Sequence, residues 1–468
     1  MPIKLRFLGA AQNVTGSKYL LETDNTRVLV DCGLYQERDF KSRNWEAFPV
    51  QPSTIDTVLL THAHIDHCGL LPKLVREGFK GKIYSTAATS DITEIMLLDS
   101  AKLHQEDAEF KKKRHQREGR QGPYPEVPLY TIVDAQNVFP LLSPVKYEET
   151  IPLADGVRAS FHEAGHVLGS SMIKIIVSQG KEERTIIFSG DIGTRNKPIL
   201  RDRATFEAAD YIIVESTYGD RLHEKSGDIG DNLARVINST RKAGGNVVIP
   251  SFALERTQDI LYYLHELRFE KRIPPLMIFV DSPMAVNITE IFERYPELYD
   301  KEMTEVIQQH QSPFDFLGLE MVKTVEESKA INNIDGTTLI IAGSGMCTGG
   351  RIKHHLVTNI SRKESTILFV GYQANGTLGR HLVNGAKKVK ILGQQYKVRA
   401  KVAQINGFSA HADRDGLLRW LSGFKKAPRH LFVTHGESQA ATYFGELVRE
   451  KTGWETSVPE YLDEAILE

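Results

Sequence analysis

Apolar positions in this chain fall into short runs rather than long helical stripes. Over the first two hundred residues, Lys4–Leu8, Tyr19–Glu22, Arg27–Asp31 and Val58–Thr61 have the β-branched and aliphatic density of strands. Lys82–Ser85, Arg158–His162, Met172–Val177 and Thr185–Gly190 continue the series, and Gly69–Arg76 reads as a helix. From about 206 to 390 the rhythm changes. Near-continuous apolar strands at Tyr211–Glu215, Asn246–Pro250, Leu276–Val280, Thr338–Ala342 and Thr366–Val370 alternate with helical stretches such as Leu254–Leu267 and Pro283–Glu293. Strands without polar alternation, separated by helices, predict a parallel sheet covered on both faces. Strand-like segments ending in His and Asp return after about 390, at Ala400–Ile405 and His430–Thr434. The fold class is α/β, in three stretches: 1–205, 206–390 and 391–468.

A chain of 468 residues accommodates two domains, or one domain with a large insertion. Its 41% hydrophobic and 25% charged residues are those of a globular protein with a sizeable core. The formal net charge of −2 neither selects nor excludes a nucleic-acid partner, because a basic groove can sit on a neutral protein. Cys32, Cys68 and Cys347 form no CxxC pair and no disulfide framework, which predicts a reducing compartment. The opening M-P-I-K-L-R-F-L-G reads as a strand rather than a leader, and no stretch approaches membrane-spanning length. The expectation is a cytoplasmic protein with no membrane partner. The polar stretch Lys102–Pro128 contains the run Lys111 to Arg117; interleaved Glu106, Asp107 and Glu109 favour a solvated helix face over a nucleic-acid contact there.

Chemistry concentrates after the strand that precedes Thr61. In T-H-A-H-I-D-H-C-G, His62, His64, Asp66 and His67 fall within six residues. A loop at a strand end can fold such side chains onto one point, and imidazole with carboxylate suits zinc. Four more positions sit at strand ends or in Gly-flanked loops: His166 in A-G-H, Asp191 in S-G-D, His411 in F-S-A-H-A-D and His435 in T-H-G-E. Asp31, ending V-L-V-D, could ligate a metal or orient a ligand histidine from behind it.

These motifs, in this order, resemble the metallo-β-lactamase superfamily, and V-E-S-T-Y-G-D (Glu215), F-S-A-H-A-D and T-H-G-E resemble motifs A, B and C of its β-CASP branch. P-S-F-A-L-E-R-T-Q (Pro250–Gln258), G-S-G-M-C-T-G-G-R (Gly343–Arg351) and G-T-L-G-R (Gly376–Arg380) match the same branch. The resemblance implies an αββα sandwich made of 1–205 and 391–468, with a β-CASP domain inserted at 206–390. It is to RNA-processing members such as RNase J and the mRNA 3′-end endonuclease, in the compact prokaryotic form without KH domains. His435 at motif C favours RNA over the DNA acted on by relatives of the Artemis type.

What the resemblance implies for the site is specific. One zinc would be held by His62, His64, His166 and Asp191, a second by Asp66, His67, His435 and the shared Asp191, giving two zinc ions per chain. A hydroxide bridging them would attack the phosphorus, with Asp66 among the catalytic carboxylates. His411 would protonate the leaving oxygen and Glu215 would orient it, or else only cap the turn that follows. The loop Asn13–Ser17, with Ser17, and the loop carrying Ser344 and Gly345 would receive phosphates, aided by Arg351 and Arg380. His381 and the pair His354 and His355 would lie at the surface or in a groove. The expected partner is single-stranded RNA, and a homodimer is compatible with the reading. Two other readings compete: a hydrolase of a small ester or thioester on the same core, which would need neither the insert nor His411, and a catalytically silent RNA-binding scaffold, which would not keep every ligand position filled.

Overall fold

A computed structural model describes residues 2–120, 122–180, 182–223, 228–309 and 312–468. The chain forms two compact units. The first comprises Met1–Asn196, Asp202–Leu222 and His411–Glu468; the second comprises Lys197–Arg201 and His223–Ala410.

Two seven-stranded sheets build the first unit. In space, the first runs Glu464–Leu467, Ile3–Gly9, Lys18–Glu22, Arg27–Val30, Thr57–Leu59, Lys82–Thr86, Leu142–Val145. The second runs Thr456–Ser457, His430–Thr434, Tyr211–Glu215, Glu182–Phe188, Ser171–Gln179, Val157–Glu163, Thr150–Ala154. Side chains alternate across each strand, so one strand feeds two cores. Leu5, Phe7, Val28 and Val30 of the first sheet meet Ile173, Ile175, Ile186, Phe188, Ile213 and Phe432 of the second in a shared interior. Leu20, Leu29, Val58 and Ile83 point the other way, onto the helices Leu71–Arg76, Ala87–Glu118 and Ile132–Gln136. Ile187, Ile212, Val214 and Val433 likewise pack outward, against Leu417 and Trp420 of Arg414–Leu421 and Phe444 of Ser438–Thr452. The result is an αββα sandwich.

The second unit holds a six-stranded, all-parallel sheet in the order Leu319–Met321, Met277–Asp281, Thr338–Ala342, Val247–Pro250, Thr366–Phe369, Lys401–Gln404. Its central strands are buried along their whole length, as the unbroken apolar runs require.

Two strands lie in a different unit from the one their place in sequence suggested. Tyr211–Glu215, within the 206–390 stretch, pairs in parallel with Ile186–Phe188 and with His430–Thr434 in the first unit. Lys401–Gln404, beyond residue 390, pairs with Thr366–Phe369 in the second. A run buried on both faces fits the middle of any parallel sheet, so its composition does not say which sheet receives it. The segment Gly69–Arg76 also starts differently: a short helix Ile65–Cys68 precedes the helix Leu71–Arg76. Among the described residues, no helix is long and apolar enough to cross a membrane.

Candidate metal centre

Register gathers the candidate ligands at one end of the sandwich. Arg27–Val30 and Thr57–Leu59 run parallel with Val30 beside Leu59, so Asp31 and the His62–His67 loop leave the first sheet together. In the second sheet Phe188 pairs with Ile213 and Glu215 with Thr434, which brings Asp191, Glu215 and His435 to the same edge. His166 sits in the loop that turns Val157–Glu163 into its antiparallel neighbour Ser171–Gln179. The His62–Gly69 loop is clamped by backbone bonds: Ser17 N–H to Asp66 O (2.9 Å), Cys32 N–H to His67 O (2.7 Å) and Leu34 N–H to Ile65 O (3.0 Å). Gly33 passes so close that a Cβ on it would lie 1.6 Å from Asp66 O. Asp31 and His435 are held at φ +59° and +49°, a left-handed conformation that costs a non-glycine residue about 1–3 kcal/mol and persists only where surroundings over-determine it. Asp31 meets that condition. Its carboxylate accepts from Thr61 N–H (2.8 Å), the Thr61 hydroxyl (2.8 Å) and His67 Nδ1 (2.7 Å).

Two groups of donor atoms result. His64 Nδ1 lies 3.0 Å from His62 Nε2 and 3.2 Å from His166 Nε2, and Asp191 Oδ2 is 3.4 Å from each of those Nε2 atoms. Across Asp191, His67 Nε2 lies 3.0 Å from His435 Nε2 and 3.3 Å from Asp191 Oδ1; His435 Nε2 is 3.6 Å from that oxygen and 3.7 Å from Asp66 Oδ2. Ligands about 2.0–2.1 Å from a tetrahedral zinc stand roughly 3.3–3.4 Å from one another, so both groups have the right spacing. Hydrogen bonding agrees. His67 gives its Nδ1 proton to Asp31, and His435 turns Nδ1 to the Thr217 hydroxyl at 3.1 Å. Their Nε2 lone pairs then face each other, an arrangement that needs a proton or a cation between them. Asp191 Oδ1 is buried and accepts no hydrogen bond. The residues present therefore fit a metal pair with Asp191 between them.

Charge divides the two groups. Burial pushes His62 down to about 3 and His64 to about 4, and holds His166 well below the usual imidazole range. All three are neutral and ready to ligate. Burial also acts against a charged His67, but Asp191 and Asp31 outweigh it and hold the ring well above its ordinary value; His435 is raised in the same way by Asp191 and Asp66. Burial alone would raise Asp66 and Asp191, yet the surrounding histidines keep both ionised, Asp191 well below the carboxylate range.

Beside the centre, His411 Nδ1 donates to Glu215 (3.1 and 3.2 Å to its two oxygens), and His411 Nε2 lies 3.9 Å from Asp191 Oδ2. Glu215 is buried and also accepts from Ile192 N–H at 2.6 Å and Thr217 N–H at 3.3 Å, so it both secures the turn and holds the imidazole. Burial would lower His411, but Glu215 and Asp191 raise it to about 9.

The expected phosphate contacts fare unevenly. Ser17 is fully buried, with its N–H on Asp66 O: it braces the ligand loop and offers nothing to a phosphate. Val14 N–H and Thr15 N–H in the same loop already donate to Glu37. In the second unit, Arg351 is tied to buried Asp281 (2.6 Å) and to the carbonyls of Val322 and Lys323, which makes it a structural cation. His355 is not at the surface either; it is buried, with Nε2 2.6 Å from Asp281. His354 and His381 are exposed, as expected. Ser344 turns its hydroxyl to Thr348 N–H and Gly349 N–H, Gly345 is buried against Phe252, and Arg380 lies over the Tyr372 ring at 5.0 Å. Sequence reasoning missed Thr61 and Thr217. Each follows a strand and touches ligand or supporting side chains, but a lone threonine beside a histidine carries no signal of its own.

Comparison with known proteins agrees with this architecture. Residues 20–215 match the metallo-beta-lactamase superfamily domain, 257–382 the Beta-Casp domain, and 395–459 the Zn-dependent metallo-hydrolase RNA specificity domain. The chain is 39% identical to Ribonuclease TTHA0252 of Thermus thermophilus, over 94% of each protein. It is 31% identical to Transcription termination factor FttA of Methanocaldococcus jannaschii, over 98% of this chain and 71% of that protein. A crystal structure of a protein of unknown function from Enterococcus faecalis V583 shares the fold, with a TM-score of 0.56 at 10% identity over all of both chains. With the three domains in order, and a relative this similar along nearly its whole length, the chain belongs to the β-CASP ribonuclease family of the metallo-β-lactamase superfamily, and it is a metal-dependent hydrolase.

Proposed function

We propose that the protein is a zinc-dependent ribonuclease that hydrolyses phosphodiester bonds of single-stranded RNA with two zinc ions. The observation that carries this reading is the pair of donor groups sharing Asp191, with the His411–Glu215 pair against their edge. His62, His64, His166 and Asp191 would hold one ion; Asp66, His67, His435 and Asp191 would hold the other. When bound, the ions would acidify a water molecule and offset charge developing on the phosphate oxygens.

The chain's own residues supply the rest. Asp31 fixes the tautomer and orientation of His67, and Thr217 does the same for His435. Glu215 accepts a hydrogen bond from His411 Nδ1–H, so the second proton of the imidazolium sits on Nε2, the atom facing the centre. His411 is then placed to protonate the departing ribose oxygen, with Glu215 stabilising the imidazolium before transfer. The match of residues 395–459 to an RNA specificity domain and the name of the Thermus relative favour RNA as substrate.

The test is metal analysis together with hydrolysis of end-labelled RNA and of DNA of the same sequence. Two zinc ions per chain, chelator-sensitive cleavage of RNA and much slower cleavage of DNA are expected. Asp191→Ala should lose both ions and all cleavage. Equal hydrolysis of DNA would move the protein to the other arm of the family, and no cleavage of RNA by the zinc-loaded protein would overturn the reading.

A further inference from the structure

The helix Ala87–Glu118 spans 32 residues, and the metal centre has use for only its first turn. There the hydroxyls of Thr86 and Thr89 donate to Gly169 O at 2.7 and 2.8 Å, in the loop that carries His166. At 1.5 Å per residue, the basic run Lys111–Arg117 lies about 35–45 Å further along. The helix is anchored that far out. Ala101, Ala108 and His115, seven apart, form a buried stripe, and His115 Nδ1 meets Glu126 at 2.6 Å.

The opposite face is bare. Leu103 and Phe110, also seven apart, are 56% and 60% exposed. Lys113, Arg114 and Arg117, three, four and seven residues on, share the face of Phe110, all exposed; Lys112, two residues on, leaves the helix from the far side. Part of this charge is neutralised: Lys111 pairs with Asp107 (2.5 Å), and Arg114 and Arg120 both pair with Glu118 (2.8 and 2.5 Å). Among the described residues Lys112, Lys113 and Arg117 form no ion pair; Arg117 donates only to Lys113 O at 3.4 Å. A solvated helix face accounts for the paired charges. It does not account for a phenyl ring left bare among cations that lack counter-ions.

That combination has a matching ligand. Single-stranded nucleic acid offers bases that stack on an exposed aromatic face and phosphates that collect free cations. A second copy of the chain is the wrong partner, because a symmetric contact would set this positive face against itself. We propose that the outward face around Phe110, Lys113 and Arg117 is a second landing surface for single-stranded RNA, remote from the cleavage centre. The inference rests on the ribonuclease reading above.

Substrate length separates the two. Steady-state cleavage would be compared on unstructured RNAs of about ten and about forty nucleotides, the shorter being too small to engage both places at once. Phe110→Ala, and the double change Lys113→Ala, Arg117→Ala, should keep full zinc content and unchanged kcat/KM on the short RNA. On the long RNA each should raise KM about tenfold. The double variant should also lower the slope of log affinity against log salt by roughly 1.4, at about 0.7 for each phosphate that no longer meets a cation. Lys113→Arg should behave as wild type. Equal effects on both lengths, or none on either, would overturn the landing surface while leaving the ribonuclease intact. Altered sedimentation of the variants, with unchanged KM on the long RNA, would make the face an interface between copies and also overturn it. Should the wild type cleave neither RNA, the ribonuclease reading fails and takes this inference with it.

Discussion

Asp191 organises the site at the scale of single residues, since each of its oxygens faces a different pair of imidazoles. The two donor groups differ in what metal binding must displace. His62, His64 and His166 are neutral already, whereas the His67–His435 pair holds a proton between its Nε2 atoms in the metal-free protein, because Asp191 and its neighbours favour the charged form. A zinc ion entering the Asp66–His67–His435 side would have to release that proton, and binding coupled to proton release weakens as pH falls. A zinc titration followed by calorimetry should therefore fill the sites unequally. Lowering the pH from 8 to 6 should weaken the second ion by roughly tenfold per unit while the first is nearly unaffected. Parallel weakening of both would contradict the charge assignment. His411 makes a separate prediction, because its Nδ1 is held by Glu215 and no metal needs it. His411→Ala should keep both ions and lose roughly 10²–10⁴-fold in kcat, the range for a general acid. The sign of the pH effect is fixed by the upward shift of the ring to about 9: the acid form is present below that value and is lost above it. Cations bound at Asp191 would offset its share of that upward shift and bring the limb lower, with Glu215 still acting upward. The variant should lack the alkaline fall in rate that the wild type displays. A loss of zinc on this substitution would make His411 a ligand.

Strands and loops decide whether those residues can meet at all. Gly33 is the clearest case, because the ligand loop lies against its backbone. Gly33→Ala would drive a methyl into Asp66 O, an atom that cannot move without dragging Asp66 and His67. The variant should bind about one zinc ion fewer per chain and lose stability by several kcal/mol, in the range of severe steric substitutions. Normal zinc content with a normal melting temperature would refute this. Elements of this kind were only partly legible beforehand. Most central strands of the sandwich and of the second unit could be read because they are compact apolar runs closed by a polar residue, and H-x-H-x-D-H is dense enough to announce a metal loop; the short, partly exposed strands Leu142–Val145, Thr150–Ala154, Leu319–Met321 and Glu464–Leu467 carry no such run and were not. Membership of a sheet was not legible for Tyr211–Glu215 or Lys401–Gln404, since a fully buried strand looks the same in either sheet. Nor was the fate of Ser17 and Arg351. A small residue in a Gly-rich loop and an arginine after one suggest phosphate, but burial and a buried partner, Asp281, are tertiary facts. Asp31 shows the reverse: its place at a strand end suggested a supporting role, and Thr61 and His67 converge on it.

Over the whole molecule a net charge of −2 gives no general attraction for RNA, so any attraction must come from local cationic surfaces and from the metals themselves. Metal binding at the centre would also act on stability. The centre concentrates Asp31, Asp66, Asp191 and Glu215, all but Asp66 fully buried, among six histidines. Without cations, the proton held between His67 and His435 helps to balance the carboxylates there. A histidine with a raised folded-state pKa contributes stability that is complete below its unfolded value, about 6.5, and is lost as pH rises through the folded value. The metal-free protein should accordingly lose stability as the pH rises above about 6.5, as buried negative charge goes unbalanced. The zinc-loaded protein has no such proton to lose and should stay level over that range. Zinc at a hundred times its dissociation constant contributes about 2.7 kcal/mol per site, or roughly 5–10 °C in melting temperature for a domain of this size. Scanning calorimetry of chelated and zinc-loaded protein should give a gap of at least that size at pH 7, widening as the pH is raised. A gap that narrows with rising pH would mean that the metal-free centre is balanced by something other than the proton between His67 and His435.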